Sequence, residues 1–481
     1  MPSGGWEWET FTQWTEQYGP IVSIRILGRT VVIVNSYDKA YEMMERKSQM
    51  YSSRPRLTMP AELMGWGDGL AFVEYGPRLR AYRRIFHREL GSREAVSAYA
   101  DVQEAHAKTF ARSCWRETER LREHAIHMSG SLILAVAYGY HAKPDNDPIV
   151  RAANDAIEVF NLAASPSAYL VNLIPALKYV PEWVPGAGFK RRARVWRPLY
   201  GRMVDAPFEF VKDSLKSHSV EPSFVAKALS AATSKEQEEI IKHAAGSMFV
   251  AGSETTALVI HAFSFFMVLH PEVQTRAQAE VDMVIGHGTR LPEIRDRDKL
   301  PYIEALCKEV LRYHPPGPCG LPHASTQNDI QDGYLIPKGS TIIPNIWKMS
   351  RDAAVYSDAD EFDPDRFMGP TPQQDPREYV YGFGRRICPG RLLADASIFV
   401  TIAMCLALFD IRAEGALPEY KTTGGPINHI CPFKCAITPR HDDDVMVRLL
   451  GDCGPSTSAC EPSQVTRTIS TSGRPKVDSS I

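Results

Sequence analysis

One stretch limits the architecture more than any other: from Ser234 to Pro271 the chain carries a single helical pattern. Ser234 and Gln237 have capping-box spacing, Lys235 and Glu236 lead into the apolar positions, and Pro271 stops the run. The span is ~36 residues, about 54 Å at 1.5 Å per residue, enough to cross a whole domain. It does not suit a bilayer. Glu254 in its middle costs roughly 2.5 to 3.5 kcal/mol on an insertion scale, and the charge-free part from Thr255 to His270 falls short of ~20 residues. The pattern therefore predicts a buried core helix that acts as a structural spine.

Around that spine the 481 residues are ordinary in composition, 44% hydrophobic and 23% charged, so a sizeable core is available. A formal net charge of −2 supplies no field for nucleic acid or an anionic membrane. The nine cysteines show no paired spacing and no signal peptide precedes them, which reads as a reduced, cytosol-facing compartment. Trp6 to Tyr18 reads as an amphipathic helix, and Ile21 to Ile26 with Val31 to Val34 as a hairpin around Gly28. Helical signals then dominate to about residue 313, with loops at Gly65 to Gly69 and Pro175 to Gly188. Short strands return at Gly333 to Ile336 and Thr341 to Ile343. Residues 1–451 read as one catalytic domain, and 452–481, rich in Ser, Thr, Pro and Gly, as a disordered tail.

The segment Tyr381-Gly-Phe-Gly-Arg-Arg-Ile-Cys-Pro-Gly390 precedes an apolar helical pattern from Leu392 to Leu408. Pro389 suits a first helical turn, so Cys388 is expected beside free helix N–H groups, where dipole and arginines favour the thiolate. Gly384 and Gly390 permit turns and close approach. Taken alone, a single cysteine reads more readily as a buried free thiol.

The pattern, however, resembles the haem-binding signature of the cytochrome P450 family, Phe-x-x-Gly-x-Arg-x-Cys-x-Gly, through Gly384, Arg386, Cys388 and Gly390, with Tyr381 in place of phenylalanine. The resemblance runs from about residue 6 to 450, nearest the fungal microsomal branch. It implies a mainly α fold with a small β-rich lobe, haem b as cofactor, and Cys388 as axial ligand of the iron. Glu309 and Arg312, three apart on one helical face, resemble the family's Glu-x-x-Arg motif, with Arg366 as the structural partner. Ala251-Gly-Ser-Glu-Thr-Thr256 resembles the oxygen-activation motif. There Gly252 leaves room for dioxygen, Thr255 holds oxygen and a water, and Glu254 feeds protons inward. Arg83 matches a haem-propionate arginine, Leu79 stands where the family has tryptophan, and Arg386 and His323 are further propionate contacts. Leucine cannot donate the indole hydrogen bond, so weaker haem retention is expected.

The implied reaction inserts one oxygen atom from dioxygen into a lipophilic small molecule, with electrons from an NADPH-dependent flavoprotein reductase of the cytochrome P450 reductase type. The arginines near Arg83 offer a docking face. The apolar segments Arg54 to Tyr75, Phe160 to Val184, Ala244 to Thr255, Pro315 to Leu321 and Cys431 to Phe433 are expected to line a pocket for terpenoid, polyketide or similar substrates, as in secondary metabolism. Two alternatives stand beside this reading: a haem-thiolate isomerase or dehydratase needing no reductase, and a non-catalytic haem-binding protein. Relatives begin with a membrane helix, so truncation is the expected reason for the start at Met1-Pro-Ser-Gly-Gly, and the cytosolic face of the endoplasmic reticulum membrane the expected location.

Overall fold

The structure is a computed structural model that describes residues 6–143, 146–164 and 169–451. The segment expected to be a disordered tail lies outside the described residues.

The spine forms as a helix over Lys235–Leu269, 35 residues long. Ser234 Oγ accepts from the Gln237 N–H at 3.3 Å, while Gln237 Oε1 accepts from the Thr233 N–H at 2.8 Å, one residue earlier than a capping box would place it. Every residue from Thr256 to Val268 is buried, so this part is enclosed on all sides. A second such helix, Arg391–Leu408, is buried continuously from Asp395 to Leu408. Both are long and apolar enough to cross a membrane, but 72% and 83% of their most apolar windows are buried inside the protein, which makes them core helices. They pack on each other, and the Leu121–Tyr138 helix lies along the spine.

The β-rich lobe is a four-stranded sheet in the order Ile21–Ile26, Arg29–Val34, Thr341–Pro344, His323–Ala324. Ile21 pairs with Val34 and Ile26 with Arg29, leaving a two-residue turn at Leu27 (φ 47°) and Gly28 (φ 79°). Two left-handed residues are what a tight hairpin with the natural strand twist requires. Arg29–Val34 runs parallel to Thr341–Pro344, which joins this early hairpin to the later half of the chain. The Pro77–Leu90 helix touches the spine, and Arg83 on it donates to Ile387 O at 2.5 Å. One helix thus connects the spine with the loop that carries Cys388.

Candidate functional site

The cysteine loop is shaped by its glycines. Gly384 has φ +54°, and a Cβ there would stand 2.1 Å from Met44 O, so both backbone and space demand glycine. Its N–H donates to Glu45 Oε2 at 2.6 Å, and the Cys388 N–H donates to Tyr381 O at 2.8 Å. Gly390 has no protein atom within 4 Å of a would-be Cβ, so the protein itself leaves that side clear. The Tyr381 hydroxyl is buried with no hydrogen-bond partner among the described residues.

Cys388 is half-buried and retains some accessible surface. The expectation of a helix-start thiolate needs correction. The helix begins at Arg391, with Gly390 as its cap, so Pro389 and the cysteine lie ahead of the first turn. Burial pushes the Cys388 thiol above its ordinary range, and the Gly390 amide, Arg83 and Arg391 only partly offset it. A coordinating metal deprotonates a thiol outright, so a metal bound at Cys388 would yield the thiolate that the free loop does not favour.

Nearby, the protein gathers half-buried cations that have no carboxylate partner among the described residues. Arg386 donates to Ser52 O at 2.7 Å, Leu70 O at 3.2 Å and Val73 O, while Arg54 donates to Leu321 O at 2.6 Å and Pro322 O at 2.8 Å. Arg54 Nε is buried without a partner. His323 is buried, with Nδ1 2.7 Å from Tyr51 O, and burial with Arg54 beside it holds its pKa well below the usual range. Among the described residues no carboxylate pairs with Arg54, Arg83 or Arg386. Burial, then repulsion from Arg386, pushes Arg54 down to about 9; burial, then Arg83, pushes Arg386 to about 10. Guanidinium keeps its proton in proteins, so these shifts express an electrostatic cost that an anion would relieve. A partly accessible cysteine, with three guanidiniums close by that have no carboxylate partner among the described residues, fits a metal macrocycle bearing carboxylates.

On the spine, the buried course breaks between Val250 and Thr255, where Ala251 is exposed although Phe249 and Thr256 are buried. Ala251 and Thr255 are one turn apart and share that open face. Thr255 Oγ1 donates to Ala251 O at 2.8 Å. Glu254 Oε1 lies 3.2 Å from His429 Nε2, which holds the carboxyl below its usual range against the opposing effect of burial. Gly252 differs from expectation. A Cβ there would stand 2.6 Å from Ile133, and its carbonyl accepts from Ser129 Oγ at 2.7 Å, so this glycine serves close packing against the Leu121–Tyr138 helix rather than space for dioxygen.

Glu309 and Arg312 are fully buried and joined by two hydrogen bonds of 2.7 Å each. Arg312 also donates to Ser350 O, Ala359 O and Glu361 O, and Arg366 to Glu309 Oε1 at 3.2 Å, Ser357 O, Asp358 O and Glu361 O. The three side chains therefore clamp the irregular segment 350–366 that leads toward the cysteine loop.

The remaining expectations divide. Leu79 is sealed in the same apolar cluster as Tyr82 and Phe86. Trp66, Phe72 and Phe160 form an aromatic wall, with ring centroids 4.5 Å apart for Trp66–Phe160 and 5.6 Å for Phe72–Phe160. Phe433 instead packs on His261 and Phe265, against the core. Arg54 and His429 were not singled out by sequence motifs. Each meets its partners from a distant segment.

The Cytochrome P450 family profile matches residues 5–430. Cytochrome P450 monooxygenase 208 of Postia placenta is 43% identical over 92% of this chain and 87% of its own length. Cytochrome P450 monooxygenase claR of Ampulloclitocybe clavipes is 38% identical over 92% and 85%. A zebrafish cytochrome P450 solved with progesterone superposes with a TM-score of 0.75 at 22% identity, covering 92% of this chain and all of that one, which supports the fold alone. The relatives carry monooxygenase names, so neither the isomerase nor the non-catalytic alternative is needed. With this fold, this cysteine loop and these relatives, the chain belongs to the cytochrome P450 family and is a haem b-dependent monooxygenase.

Proposed function

We propose that the site inserts one atom of dioxygen into a lipophilic small molecule, with Cys388 ligating the iron and Glu254 and Thr255 managing protons. Haem b, when bound, supplies the iron at which dioxygen is activated, with electron push from the thiolate. Arg54, Arg83 and Arg386, with His323, would hold the propionates, and the clear side of Gly390 admits the macrocycle. Gly384 shapes the loop, Gly252 seats the spine, and Glu309, Arg312 and Arg366 brace the approach. The observation that carries the reading is the open turn of the spine, where the Thr255 hydroxyl borders accessible space and the carboxylate of the preceding Glu254 is held by His429. A hydroxyl can hold a proton donor in place, and a neighbouring carboxylate can take protons from water and pass them on.

Thr255→Ala tests this in the haem-loaded enzyme with reductase. The share of NADPH electrons recovered as hydrogen peroxide is expected to rise several-fold with haem content unchanged; an unchanged share would remove Thr255 from the mechanism.

The electron donor is read as an NADPH-dependent flavoprotein. Arg80, Arg84 and Arg88 are exposed and recur every four residues on the Pro77–Leu90 helix, which makes one basic stripe for an acidic partner. The location is read as the cytosolic face of the endoplasmic reticulum membrane. Leu162, Leu170, Ile174, Tyr179 and Trp183 are exposed, Tyr179 and Trp183 by 78% and 84%, and exposed Arg191 and Arg192 follow them. Aromatic and apolar side chains beside basic ones suit a membrane surface.

A further inference from the structure

His429 belongs to no motif, yet its loop is mounted with unusual care. Thr422 and Ile430 form a bridge, the Thr423 N–H donates to His429 O at 2.9 Å, and the His429 N–H donates to Thr423 Oγ1 at 3.2 Å. The Asn428 N–H donates to Pro316 O at 3.0 Å, and Asn428 Oδ1 accepts from the Gly424 N–H at 3.2 Å. Behind the loop stands His314, fully buried, with Nε2 2.9 Å from Asn428 O and Nδ1 2.8 Å from the Tyr420 hydroxyl. A carbonyl only accepts, so Nε2 carries the proton and Nδ1 accepts from Tyr420. Burial pushes the His314 pKa down to about 3, which keeps this brace neutral. The result is a fixed bracket that presents an imidazole to the spine.

The pair it forms spans inside and outside: the His429 side chain is 17% exposed and that of Glu254 34%. Arg122, from the Leu121–Tyr138 helix, also acts on Glu254. His261, two turns further along the spine, feels both Arg122 and His429, and His314 feels His261 and His429. Of the two groups that act on the carboxylate, Arg122 and His429, His429 is the one in direct contact with it.

The geometry points to His429 as a positioning residue for oxygen activation, which fixes the Glu254 carboxylate on the open turn of the spine. This rests on the reading of Glu254 as a proton carrier. The 3.2 Å contact with Nε2 sets the direction of the carboxylate and favours its ionised form, so that it stands ready to take a proton from water and pass it on. Water supplies the protons throughout.

The test uses the haem-loaded enzyme with reductase and NADPH, as wild type, His429→Gln, His429→Ala and Glu254→Gln. One readout is the share of electrons recovered as hydrogen peroxide. The other is the titration of the Glu254 carboxyl by difference infrared spectroscopy, with Glu254→Gln identifying the band. His429→Gln should raise the peroxide share several-fold over wild type, and His429→Ala should move the Glu254 titration toward higher pH. If Glu254→Gln alters the peroxide share while His429→Gln keeps the wild-type share, or if His429→Ala leaves the Glu254 band in place, the positioning role is overturned. If Glu254→Gln matches wild type, the proton-carrier reading fails, and the role of His429 fails with it.

Discussion

At the scale of residues, Arg54 makes the sharpest case. Burying an unpaired charge costs several kcal/mol, and haem propionates would offset that cost only when bound. Arg54→Met should therefore make the haem-free protein more stable in chemical denaturation while speeding haem loss from the loaded one. A haem-free variant less stable than wild type would contradict this account. Arg54 also shows where sequence reading stops. Cys388, Arg386, Glu309 and Arg312 are legible because their spacing is local, whereas the partners of Arg54 are Leu321 and Pro322, and that of His429 is Glu254. No periodicity connects such segments. Gly252 was misread for a related reason: a bare position tells of close approach but not of what approaches, and here it is Ile133.

At the scale of elements, two helices and one clamp do the organising. The start of the spine depends on Ser234, whose hydroxyl satisfies the Gln237 N–H. Ser234→Ala should cost about 1 kcal/mol, read as a lowered denaturation midpoint. The clamp matters more. Arg312 is fully buried and neutralises an equally buried Glu309, so Arg312→Ala would strand that carboxylate and cost about 3 to 5 kcal/mol. A variant that folds with a loss below about 1 kcal/mol would show the segment 350–366 to be held by something else. The spine, the first hairpin and the helix after the cysteine were readable because their apolar patterns run for many residues. The exact start of that last helix was not, since Pro389 fits a tight loop as well as a first turn.

At the scale of the whole molecule, buried histidines set a pH limit. Burial above all lowers His261 to about 4 and His314 to about 3, so both stay neutral in the fold while the unfolded chain binds protons below about pH 6.5. Their contribution is fully present above that pH and is lost as pH falls from about 6.5 toward 4, at up to about 1.4 kcal/mol per pH unit each. Unfolding free energy should fall over that window, and less steeply in His314→Gln; an unchanged slope would contradict the neutral assignment. The proposed arrangement, a macrocycle seated against Cys388, is tested most directly by the carbon-monoxide spectrum of the reduced, haem-loaded protein. The wild type should show the red-shifted thiolate band and Cys388→Ser should lose it; a wild type lacking that band, or a serine variant retaining it, would contradict Cys388 as the ligand.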